Sequence, residues 1–209
     1  MIFLSCYRKE KIKISIEFQN MEKLLSESFY LPNMLMIGGA TRNVGKTTFV
    51  CKVIEKFSQL LPIVAIKVKT IYEGDSFFHG KDKNPLTENY RIINEVDATT
   101  EEDTALMLKA GAQKVFRVKV KSNYIEQVFK ELQDILPKNI VWICESNSLR
   151  LAVKPSLFIM ITNQLNNNMK PSAEQLLPFA DLIVVSDGKT FNFSENNLTY
   201  SETYGWKFV

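Results

Sequence analysis

The sequence predicts an α/β fold in which a mostly parallel β-sheet lies between helices on both of its faces. Three observations predict this class. Short apolar runs alternate with segments of helical periodicity along residues 34–186. The apolar runs are rich in Val and Ile, as expected of strands that are covered on both faces. The 209 residues are also enough to bury one substantial core.

The first predicted strand begins at Met34 and leads into the loop GGATRNVGKTT, residues 38–48. The helix that follows has apolar residues at helical spacing, namely Val50, Val53, Ile54, Phe57 and Leu61. A strand, a glycine-containing loop, Gly-Lys-Thr and a helix form the order of a P-loop, whose backbone N–H groups bind phosphate oxygens. The full pattern has glycine where this chain has Ala40, and alanine fits there if its φ is negative.

The P-loop residues have distinct predicted roles. Lys46 is expected to bridge the β- and γ-phosphates of GTP or ATP, and the Thr47 hydroxyl is expected to be a ligand of Mg²⁺. The predicted nucleotide-binding set is Gly39, Ala40, Thr41, Arg42, Asn43, Val44, Gly45, Lys46, Thr47 and Thr48. The alternative is a chance Gly-Lys-Thr at a strand–helix junction.

The later elements follow in order along the chain. Strands are predicted over residues 63–68, 90–96, 115–120, 140–144, 156–162 and 182–185, and a hairpin or edge strand in the tail, 189–209. Thr99 and Glu102 have the spacing of a capping box for a helix that ends at Ala110, with Gly111 just beyond it. An apolar stripe, Ile125, Val128, Phe129, Leu132, Ile135 and Leu136, predicts the next helix. Ser172 and Gln175 are expected to cap a short helix that runs to residue 179.

Two segments differ from this alternation. Residues 1–33 are predicted to be an N-terminal extension, either poorly ordered or a mis-called start, before a nucleotide-binding domain at 34–209. Within the extension, 12–18 alternates as a strand does, and Met21 or Met34 are alternative starts. Residues 70–89 are polar and irregular, which is typical of a flap over a site or of a disordered insert.

Glu145 is the second candidate for chemistry. It ends the apolar run IVWIC, at the place where P-loop proteins hold an acidic group near the metal. A carboxylate there can bind Mg²⁺ or polarise an attacking water, so Lys46 and Glu145 are the predicted catalytic residues and Thr47 and Glu145 the predicted metal ligands. The alternative is a surface carboxylate at a strand end. The small polar residues 146–148 suit a loop that lines the site.

Other polar residues have weaker predictions. Asn163 and Asp187 each follow a late strand, where base-reading groups occur, but both are equally natural turn residues. Lys67 and Lys69 lie near the end of the second strand, and Glu73 and Asp75 follow; either carboxylate could approach a metal or substrate, but a solvated loop charge is the simpler explanation. The single histidine, His79, could contact a ligand from this loop, but an exposed loop histidine is the simpler explanation. The acids Glu102 and Asp103 fit the first turn of a helix, where they complement the helix dipole.

Composition excludes several classes of function. The net charge of +3 and the absence of a basic patch argue against nucleic acid as a partner. No apolar run reaches the roughly 18 residues of a membrane-spanning helix. Three cysteines without paired spacing are typical of a reduced, cytoplasmic protein and predict no metal site of their own.

Taken together, the motifs resemble the MobB family of nucleotide-binding proteins associated with molybdopterin-guanine dinucleotide biosynthesis. The resemblance rests on IGGATRNVGKTT, on a helix with Asp103-Thr104 that ends Ala110-Gly111-Ala112, on Glu145 at a strand end, and on ADLIVVSDG. It implies a three-layer P-loop NTPase fold that binds GTP with Mg²⁺ beside a cofactor-making protein partner, with a homodimer as one candidate assembly. No Asn-Lys-x-Asp guanine motif occurs, so GTP and ATP both stay open.

Three functions remain open at this point. The first is a Mg²⁺-dependent NTPase. The second is an ATP-dependent kinase or ligase of the dethiobiotin-synthetase type, acting on a small acidic substrate. The third is a nucleotide-sensing module that does not hydrolyse what it binds.

Overall fold

The computed structural model describes residues 28–72, 86–137, 140–164 and 169–209. Several predicted features therefore lie outside the described residues: the strand at 12–18, the alternative start Met21, and the loop residues Glu73, Asp75 and His79. The same holds for most of the predicted flap at 70–89, of which the structure describes only the two ends.

The described residues form strands and helices that alternate through most of the chain. The strands are β1 (Phe29–Gly39), β2 (Ile63–Ile71), β3 (Tyr90–Glu95), β4 (Lys114–Lys121), β5 (Val141–Glu145), β6 (Val153–Asn163), β7 (Leu182–Ser186), β8 (Leu198–Ser201) and β9 (Gly205–Phe208). The α-helices are α1 (Lys46–Phe57), α2 (Asp103–Lys109), α3 (Ile125–Ile135) and α4 (Pro171–Leu176).

Seven strands form one mostly parallel sheet in the order β3-β4-β2-β5-β1-β6-β7, so the predicted α/β fold is confirmed. Only the β3–β4 pair is antiparallel among the pairs of this sheet, and β3 lies at its edge. Strand β1 lies between β5 and β6, and β5 lies between β1 and β2. Because parallel strands end at the same edge, the carboxyl ends of β1, β2 and β5 lie side by side.

The sheet separates two apolar layers, as the three-layer prediction requires. Helices α1 and α2 pack on one face through residues such as Phe49, Ile54 and Met107. Helices α3 and α4 pack on the other face through residues such as Phe129 and Leu176. Side chains alternate between the two faces along each strand, so neighbouring residues at a strand end point into different layers. None of the helices in the described residues is long and apolar enough to span a membrane.

Some predicted boundaries differ from the structure. Strand β1 begins at Phe29, so the last residues of the predicted N-terminal extension belong to the sheet. Neither capping box forms: α2 begins after Glu102 without a side-chain cap, and α4 begins at Pro171, whose fixed φ suits a first helical position. Ile135 is half exposed because it is the last residue of α3. Gly111 does follow the end of α2, with a φ of 104°.

The C-terminal strands β8 and β9 form an antiparallel hairpin, which confirms the hairpin alternative for the tail. The hairpin packs on the α1 face through the buried Trp206, whose ring contacts Phe57 with centroids 4.7 Å apart. The Trp206 amide donates to Ser156 Oγ (2.9 Å), and Ser156 Oγ donates to the Met34 carbonyl (3.1 Å). The hairpin is therefore tied to the central strands.

Gly205→Ala should destabilise the fold sharply. Gly205 has a φ of 71°, and a Cβ there would lie 2.2 Å from the Pro32 carbonyl oxygen and 2.7 Å from Ser156 Oγ. Gly188→Ala is the matched control, because its φ is 92° but a Cβ meets nothing within 4 Å. We expect the free energy of unfolding, measured in urea, to fall by about 2 kcal/mol more for Gly205→Ala than for Gly188→Ala. Equal losses would show that the packing of the hairpin on β1 contributes little.

Candidate functional site

The loop between β1 and α1 leaves its backbone donors open. Asn43 (φ 55°) and Gly45 (φ 91°) have left-handed conformations, whereas Ala40 does not have a positive φ, so alanine is accommodated as expected. No backbone N–H from residues 41–48 has a hydrogen-bond acceptor among the described residues, whereas the Ala40 amide donates to the Ile161 carbonyl (2.8 Å). A loop of unpaired N–H groups at the start of a helix is suited to bind an anion.

Lys46 folds back over this loop. A Cβ at Gly39 would lie 2.5 Å from Lys46 Cδ and 2.9 Å from Lys46 Nζ, so glycine is needed there for the lysine to lie close to the backbone. Lys46 Nζ donates to the Thr41 carbonyl (3.3 Å), and the structure gives it no ion pair among the described residues. The ammonium group thus lies inside the loop whose amides are open.

Asn147 fixes the end of β1 from the neighbouring strand. Its Oδ1 accepts from the Gly39 amide (2.8 Å), and its Nδ2 donates to the Gly39 carbonyl (3.1 Å). A Cβ at Gly38 would lie 2.6 Å from Asn147 Oδ1, which explains the first glycine of GGATRNVGKTT. The loop after β5 and the P-loop are consequently held as one unit.

Glu145 joins the P-loop to the second strand. Its Oε2 accepts from the Thr47 hydroxyl (2.9 Å), and its Oε1 accepts from Lys67 Nζ (2.7 Å). Lys67 Nζ also donates to the Asp103 carboxylate at the start of α2. Lys67 and Glu145 are opposite each other in the register of β2 and β5, and Glu145 is only 4% exposed. The structure therefore brings Thr47 and Glu145 together, and it adds Lys67 and Asp103.

The charges of this cluster are compensated unequally. Burial by itself would lower the pKa of Lys67, but Glu145 and Asp103 together raise it. Burial would likewise raise the pKa of Asp103, and the charge and hydrogen bond of Lys67 lower it instead. For Lys46, burial lowers the pKa, and the attraction of Glu145 offsets only part of that effect. Lys46 is thus a half-buried cation that an incoming anion would stabilise.

The oxygen atoms near Thr47 fit a magnesium ion that is held jointly with a nucleotide. Mg²⁺ is commonly bound by one or two carboxylates, with phosphate and water oxygens completing six ligands. The Thr47 hydroxyl and the Glu145 and Asp103 carboxylates provide oxygen ligands of that kind. No group of three or more His, Cys, Asp or Glu residues in the described part of the chain could hold a metal by itself.

A cavity of about 180 Å³ lies next to Lys46 and Glu145. It is bounded by the end of β2, the loop after β5 and the start of α4, and polar groups make up most of its lining. The lining residues are Gly39, Lys46, Val68, Thr70, Tyr72, Glu145, Ser146, Asn147, Ser148, Lys170 and Ser172. Residues 146–148 therefore line the site, as the sequence predicts. Val68 packs in the α3–α4 layer, so Thr70, two residues on, projects to the face opposite Lys67.

Lys170 is the residue of this cavity that sequence reasoning missed. It is the N-cap of α4, and its amide donates to the Ala40 carbonyl (2.9 Å), which ties α4 to the P-loop. Burial, followed by the charges of Lys46 and Arg42, lowers the pKa of Lys170 to about 8. Its ammonium has no hydrogen bond or ion pair within the described ranges. The signal in the sequence was Pro171, which favours the first position of a helix.

The remaining residues of the predicted nucleotide-binding set lie in the loop between β1 and α1 or at the start of α1. Val44 is fully buried in the core, so only its backbone faces the site, and Thr41 is also buried. Arg42, Asn43 and Thr48 are exposed.

Asn163 ends β6 and Asp187 directly follows the neighbouring strand β7, on the side of β1 away from β5. The Asp187 carboxylate accepts from the Lys189 and Thr190 amides (2.8 and 2.7 Å) and from the Thr190 hydroxyl, and these bonds lower its pKa to about 2. The structure thus shows the turn role of Asp187, and base recognition by Asn163 or Asp187 stays a prediction.

A larger cavity, of about 290 Å³, lies at the other edge of the sheet. It is lined by residues around the start of β1 and by α3, among them Phe29, Phe129 and Leu151. Ligand sites in open α/β sheets lie outside the carboxyl ends of the strands, and this cavity lies at the amino end of β1. The P-loop edge is therefore the candidate functional site.

Comparison with known proteins supports the fold and leaves the family open. No protein-family model matches the chain, and no curated protein matches it. The resemblance to the MobB family therefore stays a prediction. Among solved structures, the chain is similar to the "apo" form of LpxK from Aquifex aeolicus in complex with ATP, with a TM-score of 0.52 and 15% identity. The match covers 97% of this chain and 63% of that one, so this chain spans less than two thirds of the LpxK structure.

Proposed function

We propose that this chain binds a nucleoside triphosphate with Mg²⁺ and hydrolyses it at its γ-phosphate. The observation that carries the proposal is the hydrogen bond between the Thr47 hydroxyl and Glu145 beside a loop of unpaired amides. This contact supports a Mg²⁺ site formed by these two side chains beside the β- and γ-phosphates of a nucleotide bound by the loop. The similarity to an LpxK structure that holds ATP supports a nucleotide in this fold.

Each group of the site has a role in this proposal. The open amides of residues 41–48 and the Lys46 ammonium bind the phosphate oxygens and stabilise the charge that develops on them. Bound Mg²⁺ would be held by Thr47 and Glu145 and would neutralise charge on the phosphates. Glu145 also orients a water molecule toward the γ-phosphate, while Lys67 keeps Asp103 and Glu145 in place.

Thermal shift with nucleotides tests the binding step. A ligand present at 100 times its Kd stabilises the native state by about 2.7 kcal/mol, which for a domain of this size raises Tm by about 5–10 °C. We expect such a shift with ATP or GTP plus Mg²⁺, and a smaller shift when EDTA replaces Mg²⁺. The comparison of ATP with GTP decides the base preference, and release of inorganic phosphate from the stabilising nucleotide tests hydrolysis. No shift with either nucleotide would contradict the proposal.

Two other outcomes would identify the alternatives. Tight binding without phosphate release would favour a nucleotide-sensing module. Phosphate transfer that requires a small acid would favour a kinase or ligase, and the polar cavity beside Lys46 is the observation in favour of that alternative. A role beside a cofactor-making protein of the MobB type rests on the sequence resemblance, and co-purification with such a partner would test it.

A further inference from the structure

We propose that the cavity between β2, the loop after β5 and α4 binds a small anionic second substrate, which Lys170 and the surrounding hydroxyl groups hold. The proposal rests on the nucleotide-binding step of the proposed function, because the cavity adjoins the end of the P-loop site where the γ-phosphate of a bound nucleotide would lie; with this second substrate bound, it and not water would accept the phosphate. Lys46 and Glu145 line both the cavity and the phosphate site, so a ligand here would lie next to the terminal phosphate.

The position of the cavity separates it from the carboxylate cluster. Lys67 and Asp103 lie on the α1–α2 side of the sheet, where Lys67 forms ion pairs with both Asp103 and Glu145. Thr70 and Lys170 lie on the α3–α4 side, where the cavity opens. The P-loop edge therefore presents two adjoining surfaces that share Glu145: one carries the carboxylate pair with Lys67, and the other carries Lys170 and the hydroxyl groups.

The charges of the cavity favour an anion. Its charged lining residues are Lys46, Lys170 and Glu145, and Glu145 already has an ion pair with Lys67. Phosphates in the P-loop would take up Lys46, which leaves Lys170 as a cation without a partner in the described residues. Burial depresses the pKa of Lys170, as expected of a lysine that lacks a nearby counter-charge. A carboxylate, phosphate or sulfate group bound beside it would supply that charge.

The hydroxyl groups indicate a polar ligand of limited size. Thr70 Oγ1 is hydrogen-bonded to Ser148 Oγ, which lies 3.3 Å from Ser146 Oγ. Ser172 and Tyr72 complete the hydroxyl lining. Hydroxyls act as both hydrogen-bond donors and acceptors, so these side chains can bind the oxygens of an acid as well as hydroxyl groups on the same molecule. A volume of about 180 Å³ is suited to a compact small molecule.

The backbone holds Lys170 close to the P-loop. Its amide bond to the Ala40 carbonyl fixes the start of α4, and Pro171 prevents the chain before the helix from taking a helical turn. An anion that binds the Lys170 ammonium would therefore lie near the phosphate site. This is the arrangement that a reaction between a bound nucleotide and a second substrate requires.

Calorimetry with simple anions tests the proposal. The chain is first saturated with Mg²⁺ and the non-hydrolysable analogue of the nucleotide that stabilises it, so that the P-loop is filled. Sulfate and acetate are then titrated separately to distinguish a tetrahedral anion from a planar one. We expect one of them to bind, and Lys170→Gln to weaken that binding at least tenfold while the affinity for the analogue changes less than twofold. Lys170→Arg should retain the anion, and Lys114→Gln, at an exposed lysine at the start of β4, should behave as the wild type.

Four results would overturn the proposal, and they are distinguishable. If neither anion binds the analogue-filled protein, or if Lys170→Gln binds it as the wild type does, the cavity is not an anion site. If Lys170→Gln weakens binding of the analogue as much as it weakens binding of the anion, Lys170 belongs to the nucleotide site instead. If the wild type does not bind the analogue at all, the proposed function fails and the second-substrate site fails with it.

Discussion

Replacing Lys46 by alanine is expected to weaken nucleotide binding by about 100-fold or more, which corresponds to about 2.7 kcal/mol. Lys46 Nζ has only the Thr41 carbonyl as a partner in the described residues, so its charge is available to the phosphates. Charge-assisted hydrogen bonds to phosphate are among the strongest polar contacts in proteins. Isothermal titration of the stabilising nucleotide into the wild type and into Lys46→Ala measures the loss. An unchanged affinity would contradict the P-loop assignment.

The same variant should leave the fold intact. Burial lowers the pKa of Lys46, which means that the native state disfavours its charged form relative to the unfolded chain. Removing that charge therefore costs no stability at pH 7, and the unliganded Tm of Lys46→Ala should equal or exceed that of the wild type. Lys52→Ala is the control, because Lys52 is an exposed lysine on the same helix, α1. It should change neither the affinity nor Tm. A large fall in Tm for Lys46→Ala would show that the lysine has a structural role.

The P-loop was predictable because its signals are local. The order of strand, glycine loop and helix lies within residues 34–57, and the open amides follow from glycines and a left-handed Asn43 inside that segment. The strands β2, β5 and β6 were also predictable, because they are buried on both faces and read as apolar runs. These predictions depend on the chemistry of neighbouring residues and need no knowledge of the topology.

The pairing around Glu145 was not predictable in the same way. Lys67 meets Glu145 because β2 and β5 are neighbours in the sheet, although β3 and β4 lie between them in the chain. Asp103 reaches Lys67 from α2, where the helix dipole alone was a sufficient explanation for an acid. Lys170 reaches the site through a backbone bond to Ala40, which no side-chain pattern encodes. The strand order therefore decides which of the many charged residues meet.

The starts of α2 and α4 show a second limit of prediction from the sequence. Thr99 with Glu102 and Ser172 with Gln175 have the spacing of capping boxes, but α2 and α4 start at Asp103 and Pro171. In each case a residue at the helix start has a competing use: Asp103 contacts Lys67, and Pro171 fixes its own φ. Tertiary contacts and proline geometry thus override a local capping signal. The site residues Asp103 and Lys170 lie at these two helix starts.

Glu145→Gln should preserve nucleotide binding and slow turnover by about 100-fold, the loss typical when one group that stabilises developing charge is removed. Glutamine has nearly the same shape, and its amide oxygen can still accept from Thr47 Oγ1, which the carboxylate does now at 2.9 Å. The amide nitrogen then faces Lys67 and cannot accept from it, so that contact is lost, but Lys67 keeps its ion pair with Asp103. What is lost is the negative charge toward Mg²⁺ and toward the attacking water. The concentration of Mg²⁺ that gives half-maximal turnover should rise accordingly.

Single-turnover release of phosphate, measured over a range of Mg²⁺ concentrations, separates the two roles of Glu145. If it acts as a metal ligand, high Mg²⁺ should restore part of the turnover of Glu145→Gln; if it acts on the water, the rate should stay low at every concentration. Glu174→Gln, at an exposed glutamate on α4, is the control and should match the wild type in both respects. Equal turnover for Glu145→Gln and the wild type would remove Glu145 from the chemistry. Its hydrogen bonds to Thr47 and Lys67 would then be purely structural, because a buried carboxylate must be paired whether or not it reacts.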